Sequence, residues 1–115
     1  MISVSEERFE ELVDLGLAKV PPELLSRLQN AVILIEDYHP DGPHILGLYE
    51  GVALPDRTAD YSAHLPDAIW IYRGALQDYC RTEEQLVEQV KITVIHEIGH
   101  YFGLDDEELH RLGWG

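Results

Sequence analysis

Between Thr82 and Gly103 the chain carries one long amphipathic pattern, and inside it two histidines stand four residues apart. Leu86, Val87, Val90, Val94, Ile98 and Phe102 recur at three- and four-residue spacing, which predicts an α-helix with one apolar face. Thr82-x-x-Gln85 fits a capping box at its start, and Glu83 and Glu84 suit the positive end of the helix dipole. Gly103 is the residue type that ends a helix in the left-handed region. On such a helix His96 and His100 fall on one face, a turn apart, close enough to share a tetrahedral ion. A fold built on this helix has to bury the stripe and leave the imidazoles reachable.

An ion held by two imidazoles needs a third protein ligand, which must come from outside the helix. A catalytic ion keeps its fourth position for water. The turn at Gly103 brings the chain back, and Asp106 arrives three residues later, completing His-Glu-x-x-His-x-x-Gly-x-x-Asp over 96–106. Asp105 and Asp106 both precede a short final helix, Asp106 to Leu112, with Asp105-x-x-Glu108 as its possible cap. The spacing favours Asp106 as ligand and Asp105 as cap. His110 is a rival ligand, or a group that orients one. Glu97, beside His96, sits where a carboxylate can take a proton from a water activated by zinc and pass it to a leaving nitrogen.

The rest of the chain reads as a small α+β domain spanning 1–115. Phe9, Leu12, Val13, Gly16 and Val20 mark a first helix, with Ser3-x-x-Glu6 resembling a capping box and Gly16 blurring its end. Residues 22–28 form a short second helix with proline in its first turn. Ala31-Val32-Ile33-Leu34-Ile35 has the continuous β-branched character of a central strand covered on both faces. Residues 38–44 are a turn by composition. Residues 45–50 predict a second strand whose inner Gly47 permits a bulge or a close backbone approach. Residues 51–67 read as a long surface loop, and 68–73 as a third strand ending at Gly74. Three strands with two helices before and two after give the α+β class.

Composition narrows the functions. Twenty-two acidic against eight basic residues give a formal charge of −14, which disfavours nucleic acid and anionic membranes as partners. No apolar run approaches the roughly eighteen residues of a membrane span. The N-terminal residues have no signal-peptide pattern, and the single Cys80 cannot close an internal disulfide. Together these favour a cytoplasmic protein, with a monomer as the default state. Cys80 reads as a buried structural thiol. His39, His44 and His64 read as surface histidines. Tyr49, Tyr72 and Tyr101 read as packing residues able in principle to donate to an oxyanion. Trp114 reads as pinning the final helix.

Three blocks of the sequence resemble the minimal zincin-type metallopeptidases of bacteria: residues 46–52, then Leu65-Pro66-Asp67 leading to 71–74, then His96 through Trp114. The resemblance implies a compact zincin fold in which a small twisted mixed sheet packs on the active-site helix. Zinc would then lie in a shallow cleft beside the edge strand. It makes His96, His100 and Asp106 the ligands of one Zn²⁺ and Glu97 the general base. The glycine-containing extension is similar to that of metzincins. The methionine turn of that group is absent, since the only methionine is Met1. The expected activity is hydrolysis of peptides or unfolded protein. The alternative is a metal-stabilised regulatory or peptide-binding module, which has no need of a carboxylate at Glu97.

Overall fold

The computed structural model describes residues 1–26, 28, 31–51 and 67–113. Along the chain these form α1 (Glu6–Ala18), α2 (Pro22–Ser26), β1 (Ala31–Glu36), β2 (Gly47–Glu50), β3 (Asp67–Tyr72), α3 (Arg73–Tyr79), α4 (Glu83–Tyr101) and α5 (Asp106–Arg111). The strands make a mixed sheet in the order β1-β3-β2, with β1 parallel and β2 antiparallel to β3. The fold is α+β, as the element pattern predicted. Of the expected loop over 51–67, Asp67 instead opens β3, and 52–66, the role of Trp114 and the setting of His64 lie outside the described residues.

Among the described residues β3 is the central strand, paired on both sides. Its side chains divide by the alternation of a strand. Ile69 and Ile71 are fully buried and face the helices, with Ile33, Gly47 and Tyr49 of the flanking strands beside them. Ala68, Trp70 and Tyr72 point the other way, together with Val32, Leu34 and Leu48. The continuous apolar run of β1 is therefore not a central strand covered on both faces. Among the described residues it pairs on one side only, and its Val32, Leu34 and Ile35 are exposed by 40%, 38% and 37%. Hydrophobicity alone does not report which strand has two neighbours.

α4 lies across β2 and β3, and α1 packs along α4. The predicted stripe of α4 forms the core: Leu86, Val90, Val94 and Ile98 are wholly buried against Phe9, Leu12, Ile69 and Ile71. α1 runs straight through Gly16, because this is where the two helices cross. A Cβ at Gly16 would lie 2.7 Å from Val90 Cγ1 and 2.9 Å from the Val87 carbonyl oxygen. The α1 N-cap is Ser5 rather than Ser3, its side chain accepting from the Arg8 amide.

α3 was not foreseen. It starts directly from β3, and Tyr72 at its N-cap makes no side-chain capping bond, so no start signal exists to be read. Gly74, read as the end of a strand, lies inside α3 for steric reasons. A Cβ there would come within 2.4 Å of the Tyr38 ring, and the Gly74 amide donates to the Asp37 carbonyl at 2.8 Å. At the start of α4, Thr82 caps the Gln85 amide as predicted. The Gln85 side chain, however, reaches past the cap to accept from the Arg81 amide at 2.8 Å.

Candidate metal centre

The last two turns of α4 carry His96, Glu97 and His100, and the turn that follows places α5 over them. That turn is a complete Schellman motif. Gly103 has φ +87°, its amide donates to the His100 carbonyl at 2.9 Å, and the Leu104 amide donates to the Gly99 carbonyl at 3.0 Å. Only a residue tolerant of positive φ closes the helix this way. Two residues later Asp105 caps α5 in a full capping box. Its Oδ1 accepts from the Glu108 amide at 2.8 Å, and Glu108 Oε1 accepts from the Asp105 amide at 3.2 Å. Asp105 is thus occupied as a cap, and Asp106, the first residue of α5, is the carboxylate turned back toward α4.

Three donor atoms converge there. His96 Nε2 and His100 Nε2 lie 3.1 Å apart, and Asp106 Oδ1 lies 3.3 Å from the first and 3.2 Å from the second. Zinc bonds of about 2.0–2.1 Å in tetrahedral geometry set ligand atoms about 3.3–3.4 Å apart. The triangle therefore has nearly the edge length that one small tetrahedral ion demands. The His100 tautomer agrees. His100 Nδ1 lies 2.9 Å from the Leu104 carbonyl, so Nδ1 carries the proton and Nε2 presents its lone pair to the centre. Two imidazole lone pairs and a carboxylate at this separation repel one another unless a cation or a proton lies between them. The donor set suits zinc and closely related divalent ions.

Glu97 adds a second carboxylate: one of its oxygens and a ring nitrogen of each histidine lie within 4.8 Å of one another, close enough to share an ion as well. Its own setting differs from theirs: the residue is 6% exposed, and its Oε1 accepts from the Tyr49 amide at 2.8 Å. Burial pushes its carboxyl above the usual carboxylate range. The nearby His100 and His96 and the Tyr49 amide pull the other way. The bond from Tyr49 ties the helix to β2, and Gly47 makes the approach possible. A Cβ at Gly47 would meet Thr93 Cγ2 at 2.4 Å. The expectation of a close backbone approach at this glycine is met.

The remaining candidates fall elsewhere. His110 is exposed in the last turn of α5, and its side chain makes no hydrogen bond or ion pair among the described residues; the Leu104 carbonyl does the orienting of His100 instead. The Tyr49 hydroxyl donates to Asp67 Oδ2 at 2.6 Å, and its ring meets Tyr101 edge-on. Tyr101 is fully buried, and Tyr72 lies on the far face of the sheet against His39. Cys80 is buried, and burial pushes its thiol up. His39 and His44 sit in the segment after β1.

Sequence reasoning missed Gly99. A Cβ there would lie 2.0 Å from Leu109 Cδ2, so α5 rests on the bare backbone of α4 at this point. The available signal was a glycine in a helix interior, which costs about 1 kcal/mol relative to alanine and therefore calls for a packing reason.

A cleft of about 290 Å³ runs from this centre along α4, lined by Ile45, Leu46, Ile92 and Thr93 with His96 and Glu97 at one end. A sheet whose antiparallel edge strand borders such a cleft, backed by a helix presenting paired imidazoles and an adjacent carboxylate, defines the zincin class. The chain belongs to the zincin-like metallopeptidase family, whose model matches residues 28–114. No curated protein matches it. Among solved structures it is similar to a conserved hypothetical protein from Thermus thermophilus, at 24% identity and a TM-score of 0.57. That match covers 86% of this chain and 94% of the other, and it bears on the fold alone. Among the described residues no helix is long and apolar enough to cross a membrane.

Proposed function

We propose that the protein is a zinc-dependent peptidase acting on short or unfolded peptides, with His96, His100 and Asp106 holding one Zn²⁺ and Glu97 as general base. The observation that carries this reading is the donor triangle of 3.1–3.3 Å edges with a buried carboxylate beside it. A purely structural zinc site closes its fourth position with another protein ligand and needs no adjacent base. Bound there, zinc would polarise the scissile carbonyl and lower the pKa of water to about 7.

The chain's own residues supply the rest. Glu97 is held at Oε1 by the Tyr49 amide, which leaves Oε2 to take a proton from the attacking water and deliver it to the leaving nitrogen. A carboxyl pushed up by burial is a better proton acceptor at neutral pH than an ordinary one. Among the described residues β2 pairs with β3 alone. The Leu46 carbonyl accepts from the Tyr72 amide at 3.0 Å, so by the alternation of an antiparallel ladder the Gly47 peptide groups turn away from β3. An extended peptide laid along that side of β2 would present its carbonyl near the three donor atoms. The apolar walls of the cleft suit an uncharged side chain of leucine size flanking the scissile bond.

The test compares wild type, Glu97→Gln and His96→Ala/His100→Ala for zinc content and for cleavage of a fluorogenic peptide library. We expect Glu97→Gln to keep about one zinc per chain and lose roughly 10²–10⁴-fold in cleavage rate. The histidine double variant should lose both. Full activity in a zinc-loaded Glu97→Gln protein would overturn the assignment. A wild type that holds zinc and cleaves nothing would favour a metal-stabilised binding module.

A further inference from the structure

The sheet face turned away from the metal centre holds a second recess, of about 350 Å³, lined by Glu36, Tyr38, His39, Leu48, Glu50 and Trp70 among others. Its floor is apolar and aromatic, with Trp70 and Leu48 as cross-strand partners; outside the recess, Leu34 of β1 flanks Trp70 on the other side. Leu34 and Val32 beside it are more than a third exposed, an uncommon state for two large apolar residues on one strand face. The helix that carries the histidines packs on the opposite face, so this surface has no part in the chemistry proposed above.

The rim is acidic from two directions. Glu36 ends β1 beside Tyr72, and Glu50 ends β2 beside Ala68. Strand spacing and rise therefore set them at opposite corners, roughly 16 Å apart. Both carboxylates act on the recess itself: the Tyr72 hydroxyl is pushed up first by burial and then by the charges of Glu50 and Glu36. No lysine or arginine among the described residues lines the recess. Arg73, next in sequence to Tyr72, is turned to Glu6 and Asp37. His39 accepts from the Asp41 amide at Nδ1 at 2.9 Å.

An aromatic and aliphatic floor between two uncompensated carboxylates complements a segment that is apolar in the middle and cationic at both ends. We propose that this face docks a basic, extended segment of a partner protein. Its apolar side chain would sit against Trp70 and Leu48, and lysines or arginines would reach Glu36 and Glu50. Guanidinium and ammonium groups also gain from the faces of Trp70 and Tyr38. A second copy of this chain does not fit, because pairing two such faces would oppose Glu36 and Glu50 to each other on proteins of charge −14. The distance of the face from the histidines lets docking proceed with the cleft still open.

The test uses a capped synthetic peptide of alternating lysine and leucine, labelled for fluorescence anisotropy, against the zinc-loaded protein at fixed ionic strength. The expected result is saturable binding that weakens tenfold or more in Glu36→Gln/Glu50→Gln and changes no more than about twofold in Glu7→Gln/Glu84→Gln. The second pair removes equal charge from exposed first turns of α1 and α4. Zinc content should be unchanged in both, which shows that the fold is intact. Trp70→Phe, a milder change to the floor, should weaken binding by a smaller factor. Equal losses in the two glutamine pairs would show diffuse attraction to an acidic protein and overturn the proposal. So would equal binding of a glutamate-leucine peptide, or no binding by the wild type. A protein that is dimeric in solution and becomes monomeric on Leu34→Arg would show that a second copy covers the face, and would overturn it too.

Discussion

Alanine at position 99 would place a methyl carbon 2.0 Å from Leu109 Cδ2 and 3.1 Å from its Cγ, where carbon atoms in contact sit about 3.5–4.0 Å apart. Something must give by roughly 1.5 Å. Leu109 has no exposed surface, and close-packed interiors hold little space for a side chain to swing into. α4 is locked on both sides by α1 and the sheet. α5 is six residues long and has Leu109 as its one buried residue, so it is the element that yields. Asp106 is on that helix. A displacement of this size takes Oδ1 out of the triangle in which it lies 3.2–3.3 Å from both Nε2 atoms.

Two energies then separate. Overpacking costs about 1–3 kcal/mol, while replacing glycine by alanine inside a helix returns about 1 kcal/mol, so the metal-free protein should lose no more than about 2 kcal/mol. Zinc affinity should fall by about 10–100-fold, the usual effect of disturbing the support of a ligand. The assay is competition with a chromogenic chelator, alongside thermal melts in the presence of chelator. Gly99→Ala/Leu109→Val removes the offending Cδ atoms and should recover most of the affinity. If Gly99→Ala binds zinc within about twofold of wild type, or the double variant does no better than the single, the proposed support of Asp106 by Gly99 is wrong.

Asp105→Ala and Asp106→Ala should separate cap from ligand. The first removes the capping box and costs about 1 kcal/mol in the melt with a modest loss of zinc affinity; the second leaves the cap and loses far more affinity, as read by the same chelator. Equal effects would refute the division of roles. Gly47→Ala should keep zinc while lowering peptide cleavage, because its clash at 2.4 Å from Thr93 Cγ2 pushes β2 off α4 and breaks the bond from Tyr49 to Glu97 without touching a histidine; cleavage at the wild-type rate would show that the clamp is dispensable. For pH, burial first raises the Glu97 carboxyl, so in the metal-free protein its contribution to stability is fully present below the unfolded value and is lost as pH rises through the folded one. Chelator-treated Glu97→Gln should therefore melt higher than wild type at neutral pH, with the gap closing on acidification; a constant gap across that range would contradict the sign.

What could be read from the sequence was what is local. The capped, striped helix over 83–101, the turn at Gly103 and the cap at Asp105 each depend on residues within one or two turns, and all three lie where the pattern placed them. The proximity of Asp106 to both imidazoles follows from those three, since a Schellman turn leading into a capped helix leaves its direction little freedom. Pairing in the sheet is not local. β1 and β3 each carry five consecutive apolar residues, 31–35 and 68–72, yet among the described residues β3 has a strand on both sides and β1 on one. The same distinction runs through the metal centre. Which side chains converge was legible from spacing, but what holds them was not: the Tyr49 amide on Glu97 joins residues 48 positions apart, and Leu109 finds the bare backbone of Gly99 only once α5 has folded back. A histidine pair states which ion chemistry is available, whereas the contacts from β2 and α5 decide whether the geometry is held firmly enough to use it. Substitutions at Gly47 and Gly99, which touch no donor atom, therefore test the centre more sharply than removing a ligand.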